Sequence, residues 1–177
     1  MTELSIADLW LPMVAAGLAT HILSTLAWVA LPHHKPEWRK LPLSGAVGQA
    51  LRTENLQPGA QYMLSDDSAS ATSTDDCRGM LILWQHTPHM GANIGMTLAF
   101  FFAAAATIGY LASIGLRAES PPIDIFRFTA TAAALTHVAA GIPSIIWFRR
   151  KFAMDLLDGL AYSLATGAAF TLLWPAS

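Results

Sequence analysis

Four apolar runs, each long enough to cross a lipid bilayer, constrain this chain more than any other feature. They cover residues 10–31, 93–116, 126–148 and 156–174. A hydrocarbon core about 30 Å thick needs roughly 20 apolar residues in helical form. Lipid offers no water to bare backbone groups, so runs of this kind must be helices. Of the 177 residues, 54% are hydrophobic and 12% charged, whereas an average soluble domain has about 25% charged residues. The expected fold is an all-α membrane protein, with four transmembrane helices in an up-down bundle and one membrane domain over residues 1–177. Glu3 and Asp8 precede the first run without any Lys or Arg. A cleavable signal peptide wants a positive start, so the first run is expected to be a true span.

The connections between runs are unequal. Residues 117–125 form a short polar link in which Pro121 and Pro122 end one helix before the next. Arg149, Arg150 and Lys151 form a tight basic turn. Residues 32–92 form the only connection able to fold outside the membrane. Lys35, Arg39, Lys40, Arg52, Arg78, Arg149, Arg150 and Lys151 fall on one side, and Arg117 and Arg127 on the other. The excess of basic residues predicts that the long loop is cytoplasmic and both termini periplasmic, in a bacterial inner membrane. Trp10 and Trp174 then lie at the outer interface, and Trp28 and Trp147 near the inner one, as an aromatic belt requires.

Within the long loop, Ser44 can cap a short helix running to about Thr53. Pro58-Gly59 is a turn signal. The apolar stretches 61–64 and 80–84 flank a tract of Ser, Thr, Ala and Asp, and together predict a β-hairpin with a polar, mobile tip. Asp66, Asp67, Asp75 and Asp76 could recruit a divalent cation, but their spacing is not that of an EF-hand. The lone cysteine, Cys77, excludes an internal disulfide and a CxxC pair. A net charge of −2 gives no reason to expect nucleic acid as a partner.

Helices in lipid associate where small residues let backbones approach. Gly159, Ser163 and Gly167 make such a stripe on the fourth run. Gly91, Gly95, Ala99 and Ala103 make one on the second, with Leu98, Phe101 and Phe102 left to face lipid. Such stripes fit one compact bundle and a partner-binding face equally well. Gly17, His21, Ser24 and Trp28 share a face of the first run, and Thr129, Ala133, His137, Gly141 and Ser144 a face of the third. Pro143 removes a backbone hydrogen bond and predicts a kink near the end of the third run.

Ionisable side chains within a span are costly and therefore functional candidates. His21 and His137 each lie eleven residues into a run, at a similar depth of roughly 16 Å. They could be the axial ligands of a haem b, a hydrogen-bonded pair or a proton relay. Alternatively, each neutral imidazole is satisfied by a nearby Thr or backbone carbonyl. At the inner interface His33, His34, His86 and His89 offer four imidazoles that could hold Zn²⁺ or copper, or lie there by chance. Asp155 and Asp158 suit the dipole at the start of the fourth helix and can pair with Arg149 or Arg150. No HExxH, nucleophile elbow or phosphate loop is present in the sequence.

Leu9-Trp10-Leu11-Pro12, Leu31-Pro32, Arg39-Lys40-Leu41-Pro42, Asp158-Gly159-Leu160 and Leu173-Trp174-Pro175 occur in an order that resembles an uncharacterised family of small bacterial four-span membrane proteins. The resemblance runs nearly end to end and implies the same topology with an ordered loop, but no activity. Two functions are expected from the sequence. One is a non-enzymatic accessory or assembly subunit, with the lipid bilayer, other membrane-protein subunits or a second copy of itself as partners. The other is a small haem- or metal-binding redox protein using His21 and His137.

Overall fold

The computed structural model describes residues 4–64, 79–148 and 151–175. The chain divides into two units, Met1–Glu37 with Gly91–Ser177, and Trp38–Met90.

The first unit is helical. Ser5 and Asp8 form a capping box around a 3₁₀ turn over Ile6–Leu9, which leads into α1, Trp10–Thr25. The helix widens at its end into a π-helical turn, Leu26–Ala30, closed by the Leu31 amide donating to the Leu26 carbonyl at 2.9 Å. Among the described residues, three helical stretches are long and apolar enough to cross a membrane: Ile6–Ala30, Met90–Gly115 and Pro122–Phe148. Met90–Gly115 is α3, whose last 25 residues belong to this unit. The third stretch comprises α4, Pro122–His137, a 3₁₀ turn over Ala139–Gly141, and α5, Ile142–Phe148. Its discontinuity lies where Pro143 acts. The ring has no N–H for the Ala139 carbonyl four residues back and crowds it, so the α-helix stops one turn before the proline.

The fourth run forms α6, Ala153–Leu172. It is a helix of 20 residues but more polar than the other three, and is not among the stretches apolar enough to cross on hydropathy alone. It packs along both α4 and α1. The predicted small-residue stripe carries this packing. A Cβ on Gly159 would lie 2.8 Å from the His137 carbonyl oxygen, and one on Gly167 2.8 Å from the Ala130 Cβ. Buried hydroxyls are satisfied within their own helices. Thr20, Thr129, Ser163 and Thr166 each donate to the carbonyl four residues back. Close backbone approach at these small residues therefore brings the elements together, with these four hydroxyls bonded within their own helices. The apolar core comprises Ala16, Ala105, Ile108, Ile125, Ala133 and Phe170.

α3 differs from expectation. Its buried face carries Phe101, Ala104, Ala105, Ile108, Gly109 and Ala112. Gly91, Gly95, Ala99 and Ala103 are exposed, and nothing lies within 4 Å of a Cβ placed on Gly95. Phe101, expected to face lipid, is only 5% exposed. The ring packs against those of His21, His137 and Tyr162, while Phe102 lies against Gly17.

The second unit contains α2, Ala46–Thr53, and an antiparallel pair, β1, Gln61–Leu64, and β2, Gly79–Ile82. Tyr62 pairs with Leu81 in the expected hairpin. Gly45, not Ser44, stands at the start of α2, and no side chain caps it. A Cβ on Gly48 would collide with the Leu43 carbonyl, so the chain before the helix folds tightly back over it. The predicted tip of the hairpin, with Asp66, Asp67, Asp75, Asp76 and Cys77, lies outside the described residues, as do Arg149 and Arg150.

Candidate functional site

The end of α1 builds a histidine–carboxylate cluster. Pro32 follows the π-helical turn, and the chain reverses as the Lys35 amide donates to the Pro32 carbonyl at 3.0 Å. A 3₁₀ turn over Lys35–Glu37 follows, with the Glu37 amide donating to the His34 carbonyl. Residues three apart eclipse in such a turn. The Glu37 carboxylate accordingly meets His34, with Oε2 2.7 Å from Nδ1. The other face of the cluster comes from α6. Asp158, 7% exposed, places Oδ1 3.1 Å from His33 Nε2 and Oδ2 3.0 Å from His34 Nε2. The indole of Trp28, on the π-helical turn, stacks on His34 with ring centres 4.0 Å apart and planes 9° from parallel. One turn further along α6, Tyr162 brings its hydroxyl within reach of Asp158 and Ser24.

The cluster is polar, largely buried and internally paired. A carboxylate taken out of water needs close charged or hydrogen-bonding partners, and the two imidazoles supply them. Burial by itself lowers the His34 pKa. The hydrogen bonds to Glu37 and Asp158, with the charges of both carboxylates, outweigh burial and hold it above the ordinary 6.5. His33, His34 and Asp158 offer one ligand atom each within 4.8 Å of one another, as do His34, Glu37 and Asp155. A pocket of about 460 Å³ opens beside His33 and Glu37, lined also by Pro36, Lys151, Phe152 and Met154.

The sequence-derived quartet is thus regrouped. His33 and His34 meet each other, with ring centres 4.4 Å apart, and meet Asp158, which the sequence assigned to the helix dipole and to arginine pairing. His86 and His89 lie in the other unit, exposed on the segment between β2 and α3, and belong to neither ligand group. The signal for Asp158 was present, since a carboxylate inside an apolar helix needs a partner.

The second histidine pair is differently placed. His21 and His137 both pack against Phe101, with ring centres 6.2 and 5.8 Å from it. His137 also meets Tyr162 edge-on at 5.9 Å. Both rings therefore turn toward protein. However, His21 Nδ1 is buried and has no hydrogen-bond partner among the described residues, where a threonine or carbonyl partner was expected.

No protein-family model, curated protein or solved structure matches this chain.

Proposed function

We propose that this protein is a four-span membrane protein of the bacterial inner membrane that serves as a non-enzymatic accessory or assembly subunit. α6 supports the fourth span by the distribution of its side chains. Leu157, Leu160, Leu164 and Leu172 are exposed, whereas Asp158, Tyr162, Ser163 and Thr166 are buried. Polar groups turned inward and leucines turned outward suit a helix surrounded by lipid, with its modest hydropathy due to residues that face protein. The basic loop and turn favour cytoplasmic placement of residues 32–92 and periplasmic termini.

The observation that carries the subunit reading is the uncovered small-residue face of α3. Gly91, Gly95, Ala99 and Ala103 recur every four residues and are exposed. Stripes of this kind let a second helix approach closely in lipid. The partner is a transmembrane helix of another subunit or of a second copy of this chain. Purification of the full chain from its native membrane in mild detergent tests this. The wild type should leave the membrane in a stable complex, and Gly95→Leu should release the partner without changing the thermal stability of the chain. A monomeric wild type, or a Gly95→Leu variant that keeps its partner, contradicts it.

A further inference from the structure

We propose that His33, His34 and Asp158 form a binding site for one divalent transition-metal ion, Zn²⁺ foremost, with Glu37 fixing the His34 ring from behind.

The donor set is that of zinc. Two imidazole nitrogens and a carboxylate oxygen are ordinary zinc ligands, whereas Mg²⁺ and Ca²⁺ favour oxygen throughout. The spacing also fits. Ligand bonds near 2.0–2.1 Å in a tetrahedron put neighbouring donor atoms roughly 3.3 Å apart. Asp158 Oδ1 stands 3.1 Å from His33 Nε2 and Oδ2 3.0 Å from His34 Nε2, and one ligand atom from each of the three residues lies within 4.8 Å of the others. Small side-chain movements would draw these atoms around an ion, without rearrangement of helices.

The Glu37–His34 contact is the arrangement that metal-binding histidines commonly show. A ligating imidazole usually donates its other N–H to a carboxylate, which orients the ring and makes the ligating nitrogen more basic. Glu37 Oε2 lies 2.7 Å from His34 Nδ1, leaving Nε2 turned toward Asp158. A neutral imidazole donates through one nitrogen only. Both nitrogens of His34 face carboxylates; without metal an imidazolium can donate to both, and an ion held between Nε2 and Asp158 would take the place of the Nε2 proton. The Trp28 ring on the face of His34 restricts its rotation.

Access and a fourth ligand come from the adjoining pocket. It touches His33 and Glu37 and is bounded by Lys151, Phe152 and Met154. It gives an ion a route in and leaves room for water or an anion in the remaining coordination position. Asp155 offers another carboxylate on the His34–Glu37 side.

The test is a Zn²⁺ titration by calorimetry on the full chain in detergent, with any tag removed and metal first stripped by a chelator. One Zn²⁺ should bind per chain, with no comparable binding of Mg²⁺. Asp158→Asn should weaken the affinity at least 100-fold. Glu37→Gln should weaken it about 10- to 100-fold, as loss of a carboxylate behind a ligating histidine does. The double variant His86→Ala/His89→Ala should bind as the wild type does. X-ray absorption of the zinc-loaded wild type keeps the proposal testable if a variant fails to fold. It should report two imidazoles and oxygen donors at about 2.0–2.1 Å. Absence of stoichiometric binding by the wild type overturns the proposal. So does a spectrum with sulfur or without imidazole, or an affinity lost with His86 and His89 and kept in folded Asp158→Asn.

Discussion

Asp158 is the residue on which two separate parts of the helical unit converge. It sits on α6, 125 positions after His33, yet its two oxygens meet His33 and His34 individually. Asp158→Asn replaces a charged group of two acceptor oxygens with a neutral amide that has one, and should destabilise the protein by on the order of 1–3 kcal/mol. Thermal unfolding in detergent would register this, and an unchanged midpoint would contradict the pairing. The direction of the His34 shift gives a second expectation. A histidine whose pKa is raised on folding contributes stability that is complete below the unfolded value of 6.5 and lost as pH rises through the folded value. The chelated wild type should therefore lose unfolding temperature as pH is raised upward from about 6.5, and Glu37→Gln should flatten the loss. A profile flat or rising over that interval would count against the assigned partners. Half of this cluster was legible in the chain. Adjacent imidazoles at a span end stand out, but the carboxylate that joins them depends on how α6 meets α1, which residue spacing does not encode.

At the scale of elements, small residues predict packing only where their context supplies a phase. On α6 the stripe Gly159, Ser163, Gly167 alternates with leucines, so one face is marked as the contact. Gly159→Leu would drive a side chain into the His137 carbonyl, and Gly167→Leu into Ala130 and Phe126. Each should cost about 1–3 kcal/mol, the usual range for overpacking. Gly95→Leu meets open space and should leave the unfolding of the isolated chain unchanged. Equal stability of all three variants would contradict the contrast. On α3 the expected face was misplaced because nearly every residue from Leu98 to Ala106 is apolar. Where both sides of a helix are equally greasy, the neighbours decide which turns inward, and Phe101 packs against His21, His137 and Tyr162. The hairpin was legible for the opposite reason. Two short apolar stretches separated by a polar tract have few other pairings, and Tyr62 duly faces Leu81. Pro143 marked the break in the third helical stretch, displaced toward the carbonyl it cannot bond.

The whole molecule raises one question above the rest, whether α6 crosses the membrane. Length, the outward leucines and the inward polar face favour crossing. Asp155 and Asp158 lower its hydropathy, and Asp158 is where the histidine cluster closes. On that reading, the polar residues that disguise the fourth span in the sequence are the ones that tie it to α1. Three crossings and four differ in a single observable, the side on which the C-terminus emerges relative to the long loop. In a Cys77→Ser background, single cysteines at Ser70 and Ser177 are to be treated with a membrane-impermeant thiol reagent in intact spheroplasts, then again after permeabilisation. Four spans with periplasmic termini predict labelling of position 177 at once and of position 70 only after permeabilisation. Protection of both positions until permeabilisation would leave α6 on the cytoplasmic side, and immediate labelling of position 70 alone would invert the topology. The first result would contradict the proposed fourth span, and the second the proposed orientation.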